Sequence, residues 1–145
     1  GSTVWDLYGG VGVFAAAVAD EVGPTGVIES VEFSSTAVQD GKASLSDLQQ
    51  VRFHGGKVER TLGQLASSPQ VVILDPPRSG AGKEVIAQVA AATPERIVHI
   101  GCDPASFARD VALYVNAGYQ LDQVRAFDAF PLTHHVESFA LLTRG

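Results

Sequence analysis

Short apolar runs alternate along this chain with stretches in which apolar residues recur at helical spacing. That alternation is the pattern of a parallel sheet covered by helices. Val4–Leu7 predicts a first strand, followed by the turn Gly9-Gly10-Val11-Gly12 and an alanine-rich helix over Val13–Ala19. Val27–Glu32 predicts the second strand, and Ser34 is placed to cap a helix reaching about Leu48. Val51–His54 and Val71–Leu74 read as the third and fourth strands, and a helix runs from about Lys83 to Ala91. Ile97–Ile100 is the fifth strand. Asp103 then supplies an N-cap and Pro104 a first helical residue for a helix that stops at Gly118. Tyr119–Phe127 and Ser138–Thr143 are the last two strands, joined by a loop holding Pro131 and His134-His135. The expected fold is α/β: a seven-stranded, mostly parallel sheet with an antiparallel final strand and helices on both faces. Such sheets bind ligands at the carboxyl ends of their strands, where the strand order reverses.

The 145 residues suit one domain, and 46% hydrophobic against 18% charged residues gives ample material for a core. No apolar run has the roughly 18 residues needed to span a bilayer, and the opening sequence is strand-like rather than a signal peptide. A lone cysteine excludes an internal disulfide framework and a multi-cysteine metal site, and His134-His135 fits no zinc motif. Cytoplasm is the expected compartment. A net charge of −6 argues against this segment gripping a phosphate backbone unaided. The strand pattern begins almost at Thr3, so the chain reads as a single catalytic domain, residues 1–145, cut from the C-terminal part of a longer protein.

Five places carry candidate chemistry. Asp6-Leu7-Tyr8-Gly9-Gly10-Val11-Gly12 joins a strand to a helix, where glycines let the backbone approach a ligand and the helix start offers N–H donors. Its spacing is nearer the D-x-x-x-G-x-G turn of methyltransferases than a dinucleotide fingerprint, and it reads equally as a plain glycine turn. Glu32, ending the second strand, suits a carboxylate accepting from ribose hydroxyls, or an acid favouring a helix start. Asp75-Pro76-Pro77-Arg78 forces the chain stiffly over the strand ends, either as a rigid loop or to hold a carboxylate between two ligands. Cys102 is either a small buried side chain or a thiolate near a helix N-terminus. Glu137 is a flanking acid or a base.

Taken together and in order, the first turn, Asp75-Pro76-Pro77-Arg78-Ser79-Gly80, the run Cys102–Asp110 and the run Phe130–Glu137 resemble the RNA 5-methyluridine methyltransferases that act on tRNA or rRNA. The resemblance covers nearly the whole chain, and its last two motifs are specific to that family. It implies a Rossmann-like class I methyltransferase fold with S-adenosylmethionine as cofactor, held by Asp6, Tyr8, Gly9, Gly10, Gly12, Glu32 and Asp75. It implies that Cys102 adds to C6 of uracil, that Asp75 holds the base, and that Glu137 removes the C5 proton. His135 would stand beside that base, and Arg109 and Asp110 would be structural residues of their helix. The chemistry needs both a nucleophile and a base, because C5 of uracil is unreactive until a thiolate adds at C6. The target base must also be flipped out to be reached. The family further implies N-terminal segments that bind the RNA and an upstream glutamine on the cofactor.

Three positions depart from the family pattern. Gly9 stands where cysteine is usual, Asp103 where asparagine is frequent, and Lys57 where an acidic or amide residue near the adenine is expected. A carboxylate at position 103 would raise the neighbouring thiol's pKa unless it is paired. Two other readings remain. Cytosine-C5 methyltransferases place a cysteine after the fourth-strand proline motif, and here there is none. A methyltransferase-fold module that binds S-adenosylmethionine without catalysis is disfavoured by the joint presence of Cys102, Asp75 and Glu137, but Lys57 and Asp103 keep it open.

Overall fold

All seven apolar runs form strands in the computed structural model, which describes residues 1–127 and 137–145. They are β1 (Thr3–Leu7), β2 (Val27–Glu32), β3 (Val51–Gly55), β4 (Val71–Leu74), β5 (Arg96–Gly101), β6 (Tyr119–Phe127) and β7 (Glu137–Arg144). The helices are α1 (Val13–Val22), α2 (Ser35–Ser44), α3 (Val58–Thr61), α4 (Gly82–Ala91) and α5 (Pro104–Asn116), with a 3₁₀ turn at Leu62–Gln64. One sheet results, in the order β3-β2-β1-β4-β5-β7-β6. Its first five strands are parallel, and β7 runs antiparallel to both β5 and β6. The expected fold class is the observed one.

Alternation along the strands divides the core. Trp5, Leu7, Val72 and Leu74 face Val85, Ile86 and Val89 of α4 and Phe107 and Tyr114 of α5. Val4, Ile28 and Ile73 face Ala15, Ala19 and Val22 of α1 on the other side. Each fully buried aliphatic side chain of this kind contributes about 1.5–3 kcal/mol relative to exposure. The chain therefore leaves β1 for one face and β4 for the other. The crevice between their ends, where Leu7 pairs with Leu74, is the switch point.

Local chemistry sets most boundaries. Ser34 caps α2 by accepting from the Ala37 N–H at 3.2 Å, and Gly118 (φ 105) follows α5 as expected. α1 runs past Ala19 because Val22 continues its buried stripe, and Gly23 (φ 73) then ends it. The helix expected to reach Leu48 stops at Ser44. There the chain turns, with the Leu48 N–H on Leu45 O, so that Leu48 and Val51 both pack against the core under α1. The single-turn α3 was not foreseen. Among the described residues no helix is long and apolar enough to cross a membrane.

Candidate active site

The loop after β1 is held from below by a buried carboxylate. Asp6 is 1% exposed and accepts from Ser30 Oγ at 3.2 Å through Oδ2. Burial pushes its pKa up from 3.8 to about 6, against the pull of the Ser30 hydrogen bond. Tyr8 follows in the left-handed region (φ 60), a strained conformation for a tyrosine. At Gly9 the limit is space: a Cβ would stand 2.4 Å from Ser30 Oγ and 2.6 Å from Asp6 Oδ2. Gly10 and Gly12 have φ of 58 and 93, and no side chain caps α1. The Ala15 N–H favours the Asp6 carboxylate, and the first N–H groups of α1, at Val13 and Phe14, have no side-chain cap from Gly12.

Glu32 fastens this loop to the next helix. Its Oε1 accepts from the Gly10 N–H at 3.0 Å and its Oε2 from the Ser34 N–H at 2.7 Å. Each oxygen keeps a lone pair for a further donor. A cleft of about 540 Å³ opens beside it, lined by Tyr8, Glu32, Phe33, the turn Lys57–Glu59 and the segment Asp75-Pro76-Pro77. Phe33 is 70% exposed, an apolar face offered to the cleft that sequence reasoning missed. Its signal in the sequence was its position, directly after Glu32 at the end of β2. Burial, with Glu59 and Asp110 nearby, raises the Tyr8 phenol to about 12, so it stays neutral at ordinary pH.

The remaining candidates lie along the same strand-end edge. Asp75 follows β4, and its N–H reaches Leu7 O at 3.3 Å. Burial first, then repulsion from Glu137, raises its pKa, while His99 opposes. Cys102 follows β5, whose last residue Gly101 pairs with Ser138 of β7. Cys102, next after Gly101, and Glu137, next before Ser138, therefore lie at the same end of these two strands. Because β7 is antiparallel, its first residue arrives at the edge the parallel strands leave. Asp75, Cys102 and Glu137 therefore lie at the ends of three adjacent strands, β4, β5 and β7. Cys102 is half-buried and is not among the residues lining the 540 Å³ cleft. His134 and His135 lie outside the described residues.

Asp103 is paired. Its carboxylate caps α5 by accepting from the Ser106 N–H at 2.9 Å, and the contacts with Ser106 hold its pKa below the usual value.

A family model described as tRNA (Uracil-5-)-methyltransferase matches residues 48–145. An uncharacterized RNA methyltransferase of Corynebacterium diphtheriae is 49% identical over 143 residues, covering 97% of this chain and 34% of that protein. An uncharacterized RNA methyltransferase of Thermotoga maritima is 40% identical, covering 98% of this chain and 32% of its own length. The chain thus spans about a third of the curated relatives it matches. Among solved structures, the tRNA (uracil-54, C5)-methyltransferase of Pyrococcus abyssi in complex with S-adenosyl-L-homocysteine superposes with a TM-score of 0.81 at 27% identity, over 99% of this chain and 34% of that one. Fibrillarin of Aeropyrum pernix shares the fold, with a TM-score of 0.79 at 17% identity over 97% of this chain and 66% of that one.

Proposed function

This chain belongs to the tRNA (uracil-5-)-methyltransferase family, and from that premise we propose that it is the catalytic domain of an enzyme methylating C5 of a uridine in tRNA or rRNA. The observation that carries the reading is the convergence of Asp75, Cys102 and Glu137 on one edge, beside a glycine loop at the switch point.

The residues present fit S-adenosylmethionine. The loop Gly9–Gly12 leaves room for a ligand at Gly10, where nothing stands within 4 Å of a built Cβ. Glu32 has lone pairs for ribose hydroxyls, Phe33 offers a flat apolar face for an adenine, and Asp6 keeps the loop in place. When bound, the cofactor supplies an electrophilic methyl group. Lys57 lines the same cleft and stands where it would meet the adenine's polar edge.

In the proposed reaction the Cys102 thiolate adds to C6 of a flipped-out uracil, and the electron pair moves to C5, making that carbon nucleophilic. Asp75 holds the base through hydrogen bonds to its edge. Once C5 carries the methyl group, Glu137 takes the C5 proton and the C6–S bond breaks, which restores the ring and frees the thiolate. Asp103 is held as the N-cap of α5 by the Ser106 N–H. The rest of the longer protein would provide the RNA-binding surface that an acidic domain lacks.

Nucleoside analysis of RNA from cells lacking the full-length gene tests this function. We expect 5-methyluridine to disappear from one position, and to return with the wild-type gene but not with Cys102→Ala. Unchanged 5-methyluridine, or full recovery with Cys102→Ala, would overturn it.

A further inference from the structure

The segment between β4 and α4 has no regular structure, yet four backbone groups from Arg78 to the start of α4 at Gly82 are taken by one helix. Ser106 Oγ donates to Arg78 O at 2.7 Å, and Arg109 Nη2 donates to Ser79 O. Asp110 accepts from the Ala81 N–H at 2.7 Å through Oδ2 and from the Gly82 N–H at 3.3 Å through Oδ1. Residues 106, 109 and 110 share one face of α5. The approach is so close at Gly80 (φ 85) that a Cβ would stand 2.6 Å from Asp110 Oδ2.

This is an unusual use of a buried charge. Asp110 is 0% exposed, and an apolar residue would serve plain helix–sheet packing better. Burial alone would raise its pKa. Attraction to His99, whose Nε2 lies 3.4 Å from Oδ2, and the two loop N–H groups outweigh that and keep it low. The same helix begins two residues after Cys102. Its first turn is locked through Ser106, whose N–H is held by Asp103 while its hydroxyl holds the loop.

We propose that Ser106, Arg109 and Asp110 form a clamp that fixes the distance between Cys102 and Asp75, so that nucleophile and base-holding carboxylate move as one body. They are positioning residues: none stands at the strand-end edge itself. The inference rests on the function proposed above and deepens it.

The test uses the full-length protein, S-adenosylmethionine and bulk RNA from cells lacking the gene. Ser106→Ala and Arg109→Ala each remove one hold, while Ser106→Thr keeps a hydroxyl and Arg109→Lys a donor. Each alanine variant should lower kcat about two- to tenfold, the usual worth of one hydrogen bond. KM for RNA and the affinity for S-adenosylhomocysteine should not change. Amide exchange at Ala81 and Gly82 should speed up, and the threonine and lysine variants should recover most of the rate. Val115→Ala, at the exposed far end of α5, should behave as wild type. Normal kcat in the Ser106→Ala/Arg109→Ala double variant would overturn the clamp alone. So would a loss of kcat matched by equal losses in cofactor affinity and melting temperature, which marks general destabilisation. Absence of uridine methylation by the wild-type protein would instead overturn the proposed function, and the clamp with it.

Discussion

Cys102 and Glu137 lie at the same end of two adjacent strands, Cys102 directly after Gly101 and Glu137 directly before Ser138, the last pair between β5 and β7. One residue leaves its strand where the other enters, so 34 intervening residues do not separate them in space. In the proposed reaction Cys102 acts first and Glu137 last, and their substitutions should fail differently. Cys102→Ala in the full-length protein should give neither product nor adduct. Glu137→Gln should slow proton removal by about 10²–10⁴ and accumulate a methylated RNA–protein adduct, seen as a retarded band that nuclease shortens. Equal turnover by both variants and wild type would reduce the pair to a core cysteine and a flanking acid.

Glu32 should matter twice, as a ligand group and as the tie between Gly10 and Ser34. Glu32→Gln nearly preserves its shape but removes the charge and one acceptor. Hydrogen bonds to charged groups contribute about 1.5–3 kcal/mol, so affinity for S-adenosylhomocysteine should drop roughly ten- to hundredfold in calorimetry. Unaltered affinity in Glu32→Ala would assign the ribose contact to another residue.

Asp6 gives a pH signature. Its folded pKa, about 6, lies above the ordinary 3.8, so between those values the folded protein binds more protons than the unfolded chain. The stability gained by burying the neutral acid is therefore complete below the lower value and lost as pH rises through the upper one. The loss amounts to roughly 3 kcal/mol, at about 1.4 kcal/mol per tenfold change in acidity. Asp6→Asn cannot titrate. In urea unfolding from about pH 4 to about pH 7.5, its stability relative to wild type should climb by that order. A flat difference would place the Asp6 pKa near its ordinary value.

Gly9 and Ser30 should be coupled. A side chain at position 9 meets Ser30 Oγ at 2.4 Å, so Gly9→Cys should cost about 1–3 kcal/mol, as overpacking does. Ser30→Ala removes the obstructing hydroxyl, and thermal melts of the double variant should show part of that loss restored. Additive losses would mean that Asp6, at 2.6 Å, is the real obstacle.

Legibility in the sequence followed the range of the forces involved. The strands, the caps at Ser34 and Asp103 and the stop at Gly118 depend on neighbours a few residues away, and all were readable. Asp75, Cys102 and Glu137 could be singled out by type and place. Their adjacency could not, because it depends on the β5–β7 register. The early end of α2 depends on where Leu48 must pack, and α3 is too short to show a period. Arg109 and Asp110 could be read as structural. What they hold lies 28 to 30 residues upstream and came only with the fold.

The strand order also has a consequence for how the molecule is made. β7 is the last strand in the chain but lies inside the sheet, between β5 and β6. A ribosome releases residues in sequence, so β1 to β4, with the glycine loop, Glu32 and Asp75, are available before the strand that covers the far edge of β5 exists. Until residues 137–144 arrive, β5 keeps an open edge, the kind of surface on which strands from other chains add. Glu137, the first residue of β7, is meanwhile missing from that edge. A chain that ends early would thus keep its glycine loop intact while lacking the pair of residues at the far end of the crevice, and its exposed β5 would mark it for aggregation or removal.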